Sequence, residues 1–276
     1  MGVSDFERVL LRSGEASIRE RRSGEVMHPG LGPRREAELL YVEQTRLAER
    51  LRADTPDPVR VLDVGLGAAT NALAVLACAQ RVRRRRLVLT SLERDDGPLR
   101  LALADPQSFP VQAEHRELLE SLLGGGRVER PGVSWVWNQG DALERMAELS
   151  ARQEIICYDP FSPDSNPELW TLETFRVVRR LLAPGGIVST YSASTRTRVT
   201  LLLAGFWVGA GVTAAVKETT VASDGPAALQ RLLGPRWLQR WARSSARAPY
   251  GIELTPEIEQ RIRSHPQFIG AAEKEH

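Results

Sequence analysis

The chain has 276 residues, of which 42% are hydrophobic and 26% charged, with a formal net charge of +2. That supports one large α/β domain with appendages, and it excludes a low-complexity or strongly basic chain. Two cysteines, Cys78 and Cys157, lie in apolar contexts and give neither zinc spacing nor a disulfide framework, so no metal is expected.

Lys217 and Lys274 are the lysines; the remaining positive charge is arginine. The opening segment MGVSDFERVLLRSGEAS lacks the apolar run of a signal peptide. No window is apolar for long enough to span a bilayer. A soluble, cytoplasmic protein without a membrane partner is expected.

Residues 1–35 are polar and arginine-rich, and read as an arm that packs onto the domain or as partly disordered sequence. Within it, GEVMHPGLGP (Gly24–Pro33) is a loop dense in glycine and proline. His28 there reads as a loop histidine satisfied by its neighbours rather than as a catalyst. Residues 36–53 read as one helix, with Leu39, Leu40, Val42, Leu47 and Leu51 on its apolar face.

The stretch VLDVGLGAATNALAVL (Val61–Leu76) organises the rest of the chain. A buried strand over 59–64 carries Asp63 near its end, turns at Gly65 and Gly67, and enters a helix near Ala69. Glycine permits a sharp turn and a close ligand approach. A helix start offers unpaired N–H groups and a positive dipole end. The run RVRRRR (Arg81–Arg86) is expected to be solvated surface, with phosphate contact the less favoured reading.

The strand LVLTSLE ends at Glu93, about 25 residues past the glycines, where nucleotide-binding sheets place a ribose-binding carboxylate. The alternative is that Glu93, Asp95 and Asp96 only begin the next helix. Residues 95–130 exceed a simple crossover and hold helical patterns at 97–104 and 112–123. The next strand, VSWVWNQ (Val133–Gln139), leads to Asp141. Asp141 can cap the helix from Ala142, accept from an adenine amine, or do both.

The strand EIICYD (Glu154–Asp159) opens the loop PFSPDSNPELWT, stiffened by Pro160, Pro163 and Pro167. It carries Asp159, Phe161, Asn166 and Trp170 to the carboxyl edge of the sheet, where substrate is expected to meet cofactor. Trp170 reads equally as a stacking or a packing residue. A helix over 171–182, a strand over 186–192, a helix over 195–204, a strand near 206–210 and VTAAVKETTVAS (Val212–Ser223) complete the pattern. A mostly parallel seven-stranded sheet with an antiparallel end and helices on both faces is expected. The tail, 224–276, is expected to be a helical extension that frays from 264 onward.

Taken together these residues resemble the class I S-adenosylmethionine-dependent methyltransferases, which have a Rossmann-like α/β fold. More narrowly, they are similar to the methyltransferase domain of MnmC, the tRNA wobble-uridine modification enzyme. GLGAATN supplies Gly65, Gly67 and Asn71; DPFSPDSNPELW supplies Asp159, Phe161, Asn166 and Trp170; VKETTVAS supplies Lys217 and Glu218. The resemblance covers about 24–223, so the domain is placed at 36–223 with an insertion at 95–130. It implies S-adenosylmethionine as cofactor and N-methylation of 5-aminomethyl(-2-thio)uridine in tRNA, without flavin oxidase activity.

By the same resemblance Asp63, Gly65, Gly67, Asn71, Glu93, Asp141, Ala142 and Asp159 would hold the cofactor. Phe161, Asn166, Trp170, Lys217 and Glu218 would meet the substrate, and Asp159 would act on the amine. Two departures stand out: Ala69 and Pro160 occupy positions where the family has glycine. Pro160 lacks a backbone donor and fixes φ, which keeps open a small-molecule N- or O-methyltransferase. A non-catalytic RNA-binding module is the third reading.

Overall fold

The strand–helix alternation resolves into one eight-stranded sheet flanked by helices, in a computed structural model that describes residues 5–214 and 217–269. Five strands are mutually parallel: β3 (Val59–Val64), β4 (Leu87–Glu93), β6 (Val133–Gln139), β7 (Gln153–Tyr158) and β8 (Leu182–Thr190). They lie in the order β6-β4-β3-β7-β8. On the β6 edge, β5 (Arg127–Arg130) runs antiparallel; beyond β8 comes β10 (Lys217–Ser223), antiparallel to β8, and then β9 (Trp207–Ala214), antiparallel to β10 and so aligned with the parallel five.

The parallel, antiparallel-edged sheet follows expectation, but β5 is an eighth strand. Its sequence, RVER, is too short and too polar to announce itself. Gly126 and Gly132, both at positive φ, turn the chain before and after it, and pairing with β6 does the rest.

Burial on both faces explains why β3 reads as a continuous apolar run. Val59 and Val61 join the core under α2 (Leu47–Arg52), α3 (Thr70–Val82) and α6 (Arg116–Gly125). Leu62 and Val64 face the opposite core, under α8 (Leu172–Leu181) and α9 (Thr195–Leu203). Each such side chain contributes roughly 1.5–3 kcal/mol by burial.

Three segments depart from the sequence reading. The arm is a folded hairpin, β1 (Phe6–Leu10) with β2 (Ala16–Glu20). Its Phe6 and Ile18 pack with Ala102 of α4 (Gly97–Ala104) and with Phe109, which precedes α5 (Pro110–Glu114).

The single helix expected over 36–53 is broken. α1 (Pro33–Ala37) runs into a π turn over Glu38–Glu43, and Arg46, at φ 56, interrupts the chain before α2. Gln44 explains the break. Its side chain donates to Ser189 and accepts from Val212 N and Thr219, so the turn is tied to β8, β9 and β10 instead of continuing its ladder.

The tail also folds back. Trp237 and Trp241 of α10 (Pro235–Ala242), Ile262 of α11 (Pro256–Arg263) and Phe268 of α12 (Pro266–Ile269) enter the second core. The fraying expected from 264 therefore does not hold through 269, and residues 270–276 lie outside the described residues. Gln267 acts there as a short substitute for a strand, accepting from Val208 N and donating to Val208 O and Leu233 O. Among the described residues no helix is long and apolar enough to cross a membrane, and no side-chain cluster could hold a metal.

Gln267→Ala leaves these main-chain groups buried and unpaired, at a cost of about 3 kcal/mol. Urea denaturation should show the midpoint falling with an unchanged slope; an unmoved midpoint would mean that Gln267 does not hold the tail in place.

Candidate active site

The sheet changes direction at β3: successive strands go to β4 and β6 on one side and to β7 and β8 on the other. Ligands sit at the carboxyl ends of strands at such a point. A cavity of about 460 Å³ opens there, a size suited to a small ligand. Gly65, Gly67, Glu93, Asp141, Ala142, Asp159, Phe161 and Asn166 all line it. The structure therefore brings these eight expected residues to one place.

The glycine turn and the Asp159 loop meet at main-chain distance. Gly65 has φ 95, and a Cβ built on it would lie 2.6 Å from the Asp159 carbonyl oxygen. No side chain fits, and the positive φ disfavours one in any case. Ala69 adopts φ 63 at the start of α3, a conformation most residues avoid. The glycine expected there is thus replaced without rerouting the turn.

Glu93 is held rigidly. One of its oxygens accepts from Gly67 N at 3.1 Å, and the other from Arg94 N and Asp95 N. The Gly67 amide is therefore satisfied by the chain itself, not reserved for a ligand. Burial raises the Glu93 pKa against the pull of those amides. The competing helix-start reading is partly met as well, since Asp95 accepts from Gly97 N.

Asp141 both caps and lines. One of its oxygens accepts from Leu143 N and Glu144 N at the start of α7 (Ala142–Glu148).

Asp159 is the centre of a polar cluster. The Asn71 amide donates to it at 2.6 Å, and the Tyr41 hydroxyl lies beside it. His28 presents Nε2 4.0 Å from the same carboxylate, and its Nδ1 lies 3.3 Å from Glu36. Burial pushes Asp159 up to about 6; His28, Tyr41 and Asn71 hold it down, while Glu36 adds to the rise. For His28, burial opposes the charged ring, but Glu36, Asp159 and Asp63 outweigh it and raise the pKa.

Several expected residues do not reach the cavity. Asp63 is buried behind the turn, where Ser91 donates to it and Trp135 donates to Ser91. Burial pushes its carboxyl up to about 8. Asn71 is also buried and acts through Asp159.

Trp170 is fully buried, edge-on to Tyr158, Phe175 and Tyr191, with its indole donating to Phe161 O. It braces the loop from beneath and does not line the cavity, because the short helical turn Pro167–Trp170 points it into the core. Glu218 is exposed on β10 and pairs with Arg231, away from the cavity. The alternation of the strand turns it to solvent. The Lys217 side chain lies outside the described residues.

The arginine run is equally committed elsewhere: Arg81, Arg84, Arg85 and Arg86 pair with Glu38, Asp54, Glu154 and Glu129.

Sequence reasoning set His28 aside as a satisfied loop residue and missed Glu36 and Tyr41; long-range packing brings all three to Asp159. It also missed Glu25, whose carboxylate accepts from Ser162 N, Ser162 Oγ and Ser165 Oγ and so fastens the arm to the Asp159 loop. Gln112 of the insertion donates to Ala68 O and to Thr70, bracing the start of α3. The only cue was the compact GEVMHPGLGP segment, which lacks any periodic signal.

The site fits S-adenosylmethionine on its own chemistry. A fixed carboxylate at Glu93 and another at Asp141 suit ribose hydroxyls and an adenine amine. Acids dominate the lining, with His28 and Arg94 the basic side chains among the described lining residues, which suits a cationic sulfonium.

Comparison with known proteins agrees. Residues 115–224 match the family described as S-adenosyl-L-methionine-dependent methyltransferase. The chain is 32% identical over 186 residues to the tRNA 5-methylaminomethyl-2-thiouridine biosynthesis bifunctional protein MnmC of Pseudomonas fluorescens, a match covering 62% of this chain and 28% of that protein. The corresponding protein of Burkholderia vietnamiensis is 29% identical, with 66% and 30% covered. The chain thus spans under a third of the length of these relatives. The crystal structure of MNMC2 from Aquifex aeolicus superposes with a TM-score of 0.75 at 25% identity, covering 95% of this chain and 84% of that one.

Asp63 offers a test by pH. Its pKa is higher in the folded chain than in the unfolded one, so its contribution is full below the ordinary aspartate range and is lost as pH rises toward about 8. Asp63→Asn should flatten the fall in melting temperature between about pH 5 and about pH 8. An equally steep fall in both proteins would show that Asp63 titrates normally.

Proposed function

We propose that this chain, an S-adenosylmethionine-dependent methyltransferase homologous to MnmC, methylates the primary amine of 5-aminomethyl(-2-thio)uridine at the wobble position of tRNA. The observation that carries the proposal is Asp159 facing the same acidic cavity as Gly65, Glu93 and Asp141. The Pseudomonas and Burkholderia proteins, named for tRNA 5-methylaminomethyl-2-thiouridine biosynthesis, supply the substrate class. Cytoplasmic work on tRNA accords with that reading.

In this reading Glu93 holds the ribose of S-adenosylmethionine, Asp141 and the backbone at Ala142 hold the adenine, and the Gly65–Gly67 turn borders the methionine end. Bound there, the sulfonium supplies an electrophilic methyl group to an amine aligned behind it.

The protein must bring that amine in uncharged. An alkylammonium is mostly protonated at neutral pH, so the site needs a base at the acceptor. Asp159, with its pKa near 6, is largely ionised at neutral pH yet basic enough to take a proton from a bound ammonium. Phe161 and Asn166 border the acceptor side of the cavity, and Tyr191 steadies the loop by donating to Pro160 O.

Pro160 favours a second reading, a small-molecule amine acceptor, because it removes a main-chain donor beside Asp159. Nucleoside mass spectrometry of tRNA incubated with the protein and S-adenosylmethionine separates the two. Appearance of 5-methylaminomethyl(-2-thio)uridine supports the tRNA reading; no modified nucleoside, with methyl transfer to free amines, replaces it. Asp159→Asn should lower turnover by about a hundredfold or more, with the affinity for S-adenosylhomocysteine held within about threefold. Full activity in that variant would remove Asp159 from its role.

A further inference from the structure

Glu36, Asp63, Asp159 and one imidazole converge behind the acceptor side of the cavity, yet amine methylation as described uses only Asp159. His28 is the unexplained member. It belongs to the arm, far in sequence from the sheet, and its backbone sits at φ 49, a region non-glycine residues seldom occupy. Its side chain is only 13% exposed and lines the cavity. Glu36, 8% exposed at the start of the broken helix, takes its Nδ1, leaving Nε2 aimed at Asp159.

A histidine held at one nitrogen by a carboxylate, with the other toward a reacting group, has its ring orientation and tautomer set. A loop histidine with only a structural role needs no such arrangement.

We propose that the Glu36–His28 pair is the proton exit of this site: Asp159 takes a proton from the acceptor ammonium, His28 Nε2 takes it on from Asp159, and Glu36 orients the ring and balances its charge. The inference rests on the amine-methylation reading. His28 acts through Asp159 and is a positioning residue.

The proton count closes. The acceptor enters as an alkylammonium and gives one proton to Asp159. The freed lone pair forms the new C–N bond while the C–S bond breaks, its electron pair going to sulfur. The product leaves as a secondary ammonium, and the displaced proton passes through His28 to water. Without that exit Asp159 ends each cycle protonated, in a site that already disfavours its charge.

The groups facing the imidazole are Glu36 from α1, Asp159 from the loop after β7 and Asp63 from β3. All are acids, and Glu36 and Asp159 do most to strengthen its hold on a proton. His28 must be neutral to accept, so turnover rises with pH as the ring loses its own proton. The 4.0 Å separation leaves room for a tighter approach once substrate fills the cavity.

The test uses the full chain, S-adenosylmethionine and tRNA bearing 5-aminomethyl-2-thiouridine. In His28→Gln, kcat at about pH 7.5 should fall by about tenfold to a hundredfold with KM within about threefold. The rising limb that belongs to the imidazole should be lost, so that the deficit grows as pH rises, and added imidazole should restore at least about fivefold of the loss. Glu36→Gln should give a smaller loss of the same kind. A His28→Gln rate within about twofold of the parent, or a loss equal at every pH and untouched by imidazole, overturns the proposal.

A second readout needs no turnover. The His28 ring resonances, followed by NMR, should titrate at least about half a unit lower in Asp159→Asn than in the parent. An unmoved midpoint overturns the coupling even if the variants are slow. Should the parent transfer no methyl group to this tRNA, the substrate reading falls, while the titration still decides whether His28 and Asp159 share a proton.

Discussion

The site depends on one steric fact: the backbone of Gly65 lies against the backbone of Asp159, with no space for a side chain between them. That contact joins the turn after β3 to the loop after β7 and sets the spacing between donor and acceptor halves of the cavity. β3 and β7 are paired in parallel register, Val64 opposite Tyr158, and Asp159 N donates to Val64 O. The sheet ladder therefore delivers both segments to the same height. The aromatic brace of Tyr158, Trp170, Phe175 and Tyr191 then holds the loop from below.

Around that contact the charges are arranged by burial more than by pairing. Asp63 keeps its proton to about pH 8 because it is dry, with Ser91 its hydrogen-bond donor. Asp159 is equally buried but faces His28, Tyr41 and Asn71, and titrates lower. Two aspartates beside the same turn, one in the strand that leads into it and one in the loop packed against it, thus sit in different protonation states near neutrality. One maintains a neutral floor and the other carries charge into the cavity, a division that follows from their neighbours alone.

The parallel core was legible because buried strands have a plain signature. The limits of β3, β4 and β6 follow directly from the apolar runs ending at Val64, Glu93 and Gln139. Acids at strand tips, beside a glycine turn, were legible for the same reason: Glu93, Asp141 and Asp159 are fixed by the strands that carry them. Residues placed by tertiary contact were not. His28 and Glu25 reach the site through a hairpin whose strands are only five residues each, and Tyr41 through a π turn that no periodicity announces. Trp170 and Glu218 show the opposite error. A motif position names a residue type, but local geometry decides which way it faces, and here a short helical turn and a strand alternation sent them inward and outward.

The clasp between Glu25 and Ser162 spans 137 positions of the chain. During synthesis, the arm has no seat until the loop that receives it has been made. Contacts of such wide separation form late and carry a large closure cost. The imidazole is therefore held in place only in a chain where the arm and the Asp159 loop have both been made and have met.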